Sequence, residues 1–246
     1  MPLVTQKNAM KPLIRQAHRW VGLIFSLSLL MSAGSGLVHN VMSRTQAPPP
    51  PARPGTESGI DPHRVELGVA QAAARIPGGA SSRLQAVNLR GIGGEPWYQI
   101  YAEGQPRPFY VSAVDGRVDP GQDERYAAAI ASAFMGGAPV RRTAYLTGFD
   151  GEYINIFRIL PVYRFDLDDP LQTRLYVSTA TGSVTRHTDR NRQFQANVFT
   201  NFHKLGFIPN KEVRDLALTA LTGGVFAAAV LGVVLFFLTR PRRREK

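Results

Sequence analysis

The sequence predicts an α+β protein in which two transmembrane helices flank an exported domain of two helix-plus-antiparallel-sheet repeats. Three observations predict it. Trp20 to Met42 and Leu216 to Leu238 each run 23 residues without Asp, Glu, Lys or Arg. At ~1.5 Å per residue either reaches roughly 35 Å, enough to cross the hydrocarbon core of a bilayer. The basic residues crowd just outside these runs. Finally, Tyr110-Val-Ser-Ala-Val-Asp-Gly-Arg-Val118 and Tyr176-Val-Ser-Thr-Ala-Thr-Gly-Ser-Val184 agree at five of nine positions, the mark of an internal duplication.

The charge distribution sets the orientation. The chain carries a net +11. Residues 1–19 hold Lys7, Lys11, Arg15 and Arg19 and no acid, and 240–246 hold five basic residues against Glu245. Each end therefore contributes +4 and leaves +3 for everything between. An excess placed immediately beside two spans follows the positive-inside rule rather than a nucleic-acid footprint. Both termini are expected in the cytoplasm and residues 43–213 outside it. A cleaved secretory signal is the rival reading of the first run, with Ala33-Gly34-Ser35 as a cut site. The run is long for that role, and the second span needs a partner. No cysteine is present, which excludes disulfides, thiolate metal sites and Cys nucleophiles.

In order, residues 1–19 form a basic tail that becomes helical before the membrane, with Trp20 at the inner interface. Within the first span (20–42), Ser32, Gly34, Ser35 and Gly36 make a small-residue patch that admits a neighbouring helix or a flat ligand. Gly34 and Gly36, with Gly223 and Gly224 of the second span (214–239), are expected to aid an antiparallel helix hairpin. The linker 43–59 contains Ala-Pro-Pro-Pro-Pro-Ala-Arg-Pro-Gly (47–55), a polyproline spacer. The first repeat (60–120) opens a helix at Asp61-Pro62, Asp as N-cap and Pro at the first position. Val65, Val69, Ala72 and Ala73 mark one face, and Pro77-Gly78-Gly79 closes it. Strands follow near 83–90, 98–103 and 108–113. The second repeat (121–188) has a helix from Glu124 to Met135 after Asp119-Pro120, then strands near 139–147, 162–167 and 173–178. In each, Gly116 or Gly182 stands where a hairpin turn needs positive φ. Residues 189–213 form an amphipathic segment on the outer surface, carrying Phe194, Val198, Phe199 and Phe202. A basic tail, 240–246, ends the chain.

These residues also carry a family resemblance. His18-Arg19-Trp20-Val21-Gly22-Leu23 with Gly34-Ser35-Gly36 looks like the opening of PepSY-associated transmembrane proteins. Leu160-Pro-Val-Tyr-Arg164, Arg174-Leu-Tyr-Val177 and Thr181-Gly-Ser-Val184 resemble their PepSY repeats. Phe202-His-Lys-Leu205 before the last span, and Leu238 to Arg244 after it, complete the order. The resemblance implies an inner-membrane protein of that group, some of whose larger relatives, with about four spans, are haem-bearing reductases linked to iron–siderophore uptake. This chain has two spans, so the reductase role implies two chains assembling into the larger bundle.

Of the five histidines, His39 stands out because it lies in an apolar run, where a polar side chain is costly. His18 sits 21 residues away, roughly 32 Å along the axis, too far to share one small site. His203 is expected at the level of His39. The pair His39 and His203 is read as the axial ligands of an outer b-type haem, and His18, paired with His18 of a second chain, as the ligand of an inner one. His63 and His187 read as solvent-facing. Asp166, Asp168 and Asp169 lack the ligand pattern of a Ca²⁺ loop and read as a hairpin turn. Gly91 to Gly94 is a turn without phosphate-loop context. Trp97, Tyr98, Tyr101, Phe109 and Tyr110 alternate along two strands, one set for the core and the other for packing or an exposed strip. No hydrolase constellation is present and no catalytic residue is assigned. Two functions stay open. One is a haem-binding, dimeric redox protein acting on a ferric siderophore. The other is a non-catalytic module whose exported domain binds a peptide, a protease or a transport partner.

Overall fold

The computed structural model describes residues 3–48 and 59–239. The chain divides into two units, a helical one formed by its two ends and a sheet-containing one formed by 48–193. Most of the proline spacer and the basic tail 240–246 lie outside the described residues.

The helical unit contains α1 (Leu3–Thr45), the end of α4 (Arg190–Val198), a π-helical turn (Phe199–His203) and α5 (Lys211–Thr239). Tail and first span form one continuous helix. Asn210 starts α5, its side-chain oxygen accepting from the Val213 N–H, as an Asn N-cap does. Two stretches, Lys11–Thr45 and Lys211–Thr239, are long and apolar enough to cross a membrane. Their large side chains face outward: Leu30 is 68% exposed, Leu216 72% and Phe226 70%.

One stripe of α1 makes the contacts. His18, Phe25, Ser32 and His39 recur every seven residues, which keeps them near one line on a helix. The inner half of that stripe meets α5. The Phe25 ring lies on Gly224, where a Cβ would come within 2.3 Å of it, and the His18 ring lies on Gly232. Gly34, Gly36 and Gly223 have nothing within 4 Å of where a Cβ would stand. Of the four glycines expected to close the hairpin, Gly224 alone does so, and Gly232 joins it.

The other unit consists of two antiparallel meanders in chain order. The first has β1 (Leu84–Ile92), β2 (Glu95–Ala102) and β3 (Phe109–Ser112); the second has β4 (Arg141–Leu146), β5 (Val162–Asp166), β6 (Arg174–Ser178) and β7 (Ser183–Thr188). Each follows a helical segment. Before the first, a 3₁₀ turn (Pro62–Arg64) and the short α2 (Val69–Ala73) replace the single helix expected. Asp61 still caps, accepting from the His63 N–H, but Gly68 adopts extended backbone and restarts the helix. Before the second stands α3 (Gln122–Phe134). Gly116 and Gly182 both take positive φ, 76° and 66°.

Strand β2 is buried on both faces. Tyr98, Ile100 and Val111 pack with Ala72 and Ile76, while Trp97 and Tyr110 enter a larger core with Tyr126, Ile130, Phe165 and Leu175. The alternation therefore feeds two cores and exposes no aromatic strip. The far face of the second sheet is covered by 147–161, where Tyr153 stacks on Tyr176. His187 is half-buried beside Phe134 rather than solvent-facing, and burial, then Arg192, lowers its pKa.

A buried polar node joins the two meanders. Tyr110 of β3 and Tyr163 of β5 both donate to the buried carboxylate of Asp123, at 2.9 and 2.7 Å. Asp123 sits in the first turn of α3, where the helix dipole favours an anion. The fully buried Gln99 donates to Tyr110 Oη and to the carbonyl of Thr179.

Tyr163→Phe removes one donor from a buried carboxylate and is expected to lower stability by about 1–3 kcal/mol, read by urea unfolding of the detergent-solubilised chain. The node also sets an alkaline limit. Burial and then the charge of Asp123 raise the phenols of Tyr110 and Tyr163, and push Tyr101 up to about 12. An acid held protonated in the fold stabilises it below the ordinary tyrosine value near 10, and that contribution is lost as pH rises toward the folded value. The melting temperature is therefore expected to fall between pH 10 and 12, less steeply in Tyr163→Phe.

Candidate functional site in the apolar helix pair

The polar atoms of the helix pair find partners across segments. His18 Nδ1 lies 3.0 Å from the carbonyl oxygen of Ala228. A carbonyl only accepts, so Nδ1 carries a proton, and in the neutral imidazole Nε2 keeps its lone pair. Gly232 makes this possible. Its missing side chain lets the imidazole come close to α5, with Cε1 3.0 Å from where a Cβ would be. Gly22, Phe25, Ala228 and Ala229 wall a groove of about 270 Å³ beside the ring. An imidazole anchored through Nδ1 with Nε2 free is how a metal-ligating histidine is held.

The outer half of α1 is met by α4 and the π turn, running antiparallel to it. Gln195 Nε2, with two protons to donate, lies 3.0, 3.0 and 2.8 Å from His39 Nδ1, the His39 carbonyl oxygen and Ser43 Oγ. Phe199 lies 5.2 Å from the His39 ring and 4.6 Å from the His203 ring, nearly parallel to the latter at 13°. His203 Nδ1 approaches Ser32 Oγ at 3.2 Å and Ser35 Oγ at 3.4 Å.

The histidines expected to form one outer site are thus placed differently. His203 sits at the level of Ser32, about two turns from His39, because 194–203 descends along α1 instead of lying free on a surface. The Phe199 ring occupies the space between the two imidazoles. His18 remains far from both, as its spacing requires.

Sequence reasoning missed the π turn and its closure. An i,i+4 pair in a π helix lies almost in line, which stacks His203 under Phe199; in an α helix it would be rotated by about 40°. Leu205 takes φ 51°, and the Gly206 N–H closes on the Thr200 carbonyl at 2.8 Å. A Cβ on Gly206 would come within 2.4 Å of Thr200 Cγ2 and 2.9 Å of its carbonyl oxygen. The usable signal was Gly206 after an aromatic, polar turn.

In the sheet-containing unit the charged groups serve the fold. Asp169 holds the β5–β6 turn, accepting from Thr173 N and Oγ1, both at 2.7 Å. Arg164 pairs with Asp166, and Arg174 and Tyr176 meet on Glu152. Among the described residues no group of three or more His, Cys, Asp or Glu is arranged to hold a metal ion. Comparison with family models, curated proteins and solved structures gives no match for this chain.

Gly206→Val should break the π-turn closure. The expected result is a lower melting temperature and faster amide exchange over 199–206, with exchange in β5 and β6 unchanged, measured by hydrogen-exchange mass spectrometry.

Proposed function

We propose that this chain is a two-pass inner-membrane protein of the PepSY type, with both termini cytoplasmic and 43–213 periplasmic, whose helix pair binds b-type haem. The outward-facing apolar side chains of α1 and α5 support the membrane placement, because the core helices of a soluble protein would bury them. The basic flanks support the orientation. The single observation that carries the haem reading is His18. It lies in an apolar groove, anchored through Nδ1 on a carbonyl, with Nε2 free for a metal.

In this reading His18 of one chain and His18 of a second copy hold one haem, which makes a homodimer the working form. Bound haem supplies one-electron chemistry. Gly22, Ala228 and Ala229 leave room for one edge of a flat group, the rest of which the second copy would cover, Gly232 sets the depth of the ring, and the Ala228 carbonyl fixes its tautomer. His39 and His203 can serve an outer haem only when Phe199 leaves the space between them. The acceptor proposed is a periplasmic ferric siderophore.

A second reading is a non-catalytic binding module. A cleft of about 320 Å³ in the sheet-containing unit favours it, lined by Pro77, Pro106, Arg107, Phe109, Asp119 and Pro120. Its mix of prolines, one aromatic and both charge signs suits an extended peptide or partner loop.

Visible spectra of the purified full-length protein, oxidised and then reduced with dithionite, decide between the readings. The haem reading expects a Soret band with resolved α and β bands on reduction. His18→Ala and Gly232→Val are each expected to remove most of that absorbance. A preparation still colourless after haem is supplied would leave the binding module standing.

A further inference from the structure

The second cavity of the helix pair is not used by His18. It lies farther along α1 and has a volume of about 160 Å³. Leu29, Leu218, Leu221 and Phe202 wall it, and His203 and Thr222 supply polar groups. We propose that it binds the ring of a lipid-soluble quinone, with His203 as the hydrogen-bonding group.

Size comes first. A cavity of roughly 150 Å³ accepts one benzene ring. This one therefore holds a single substituted six-membered ring, whereas a porphyrin is several times larger. Access comes second. The cavity opens on the outer surface of a helix pair whose large side chains are apolar and exposed, so its ligand is one that dissolves in lipid.

Polar capacity comes third. His203 Nδ1 is engaged by Ser32 and Ser35. Among the described residues, His203 Nε2 and Thr222 Oγ1 have no hydrogen-bond partner. An acyl chain in the cavity would leave both without a partner in an apolar setting, at a real cost. A quinone carbonyl or quinol hydroxyl satisfies them. The imidazole suits both redox forms. With its proton on Nδ1, directed to the Ser32 carbonyl 3.4 Å away, Nε2 accepts from a quinol hydroxyl. With Ser32 Oγ donating to Nδ1, Nε2–H donates to a quinone carbonyl. The π turn builds the site by turning Phe202 and His203 toward the cavity together.

The test is photolabelling of the full-length, detergent-purified protein with an azido-benzoquinone bearing an alkyl tail, with the label located by peptide mass spectrometry. Label is expected within 199–205 or 218–225 and should be displaced by excess decyl-benzoquinone. His203→Ala should lower the yield about tenfold, as loss of a hydrogen bond at the ring would. Leu221→Trp, which fills the cavity without touching His203, should lower it similarly while keeping the melting temperature. His18→Ala should leave labelling unchanged, which separates this site from the haem reading. Label spread along both helices, undiminished labelling in Leu221→Trp, or a co-purified phospholipid in the site that decyl-benzoquinone does not displace would each overturn the proposal.

Discussion

A polar side chain in an apolar helix pair needs a partner, and one stripe of α1 meets that need for most of the helical unit. His18, Ser32 and His39 fall on a seven-residue repeat with Phe25. Each polar member is met by a group from another segment: the Ala228 carbonyl, His203 and Gln195. Without those partners three polar residues would be exposed on one line of an otherwise greasy helix. The line is shared, α5 covering its inner half and α4 with the π turn its outer half. That division decides where every histidine of the unit ends up.

The sheet-containing unit solves a different problem. The first meander keeps a small core with α2, but the larger core is shared by both meanders and α3. The duplicated Tyr-Val-Ser motif shows how the copies diverged. Tyr110 and Tyr176 are both buried, and both donate to a carboxylate. Tyr110 finds Asp123 at the start of α3, on the face shared by the two meanders. Tyr176 finds Glu152, in the segment that covers the far face. One motif thus ties the meanders together in its first copy and ties down a covering segment in its second.

Much of this fold was legible because its signals are local. Charge-free runs gave both long helices, six strands were placed to within a few residues, and Gly116 and Gly182 marked the hairpins, but β7 (Ser183–Thr188) after the second of these turns was not anticipated. What escaped depends on tertiary contact. The helix at 62–73 broke because Leu67, Tyr98 and Ala113 fix the chain there, Tyr98 Oη donating to the Leu67 carbonyl and Leu67 N–H to that of Ala113. His187 was read as exposed because nothing local shows that Phe134 packs on it. Of the candidate site, the three histidines could be picked from the sequence, as could the separation of His18 from His39. The stack of His39, Phe199 and His203 could not, because one extra residue in a turn, invisible to an i,i+4 pattern, swings His203 under Phe199.

That one turn also separates the chemistry available along the groove. The cavities beside His18 and beside His203 share Leu29 and Val225 as their common wall, so they are neighbours along one seam. Their donor sets differ. His18 is fixed in a single tautomer by a partner that only accepts, which suits a ligand bond held constant. His203 faces hydroxyls that can give or take a hydrogen bond, which suits a ligand whose own protons come and go. In the proposed reading, a haem on the fixed imidazole and a quinone on the adaptable one would lie on either side of two apolar side chains. At such a seam the proton of a quinol hydroxyl would pass to His203 Nε2, and Ser32 and Ser35 would hold the ring through Nδ1, which makes the serine pair as much a part of the site as the histidines.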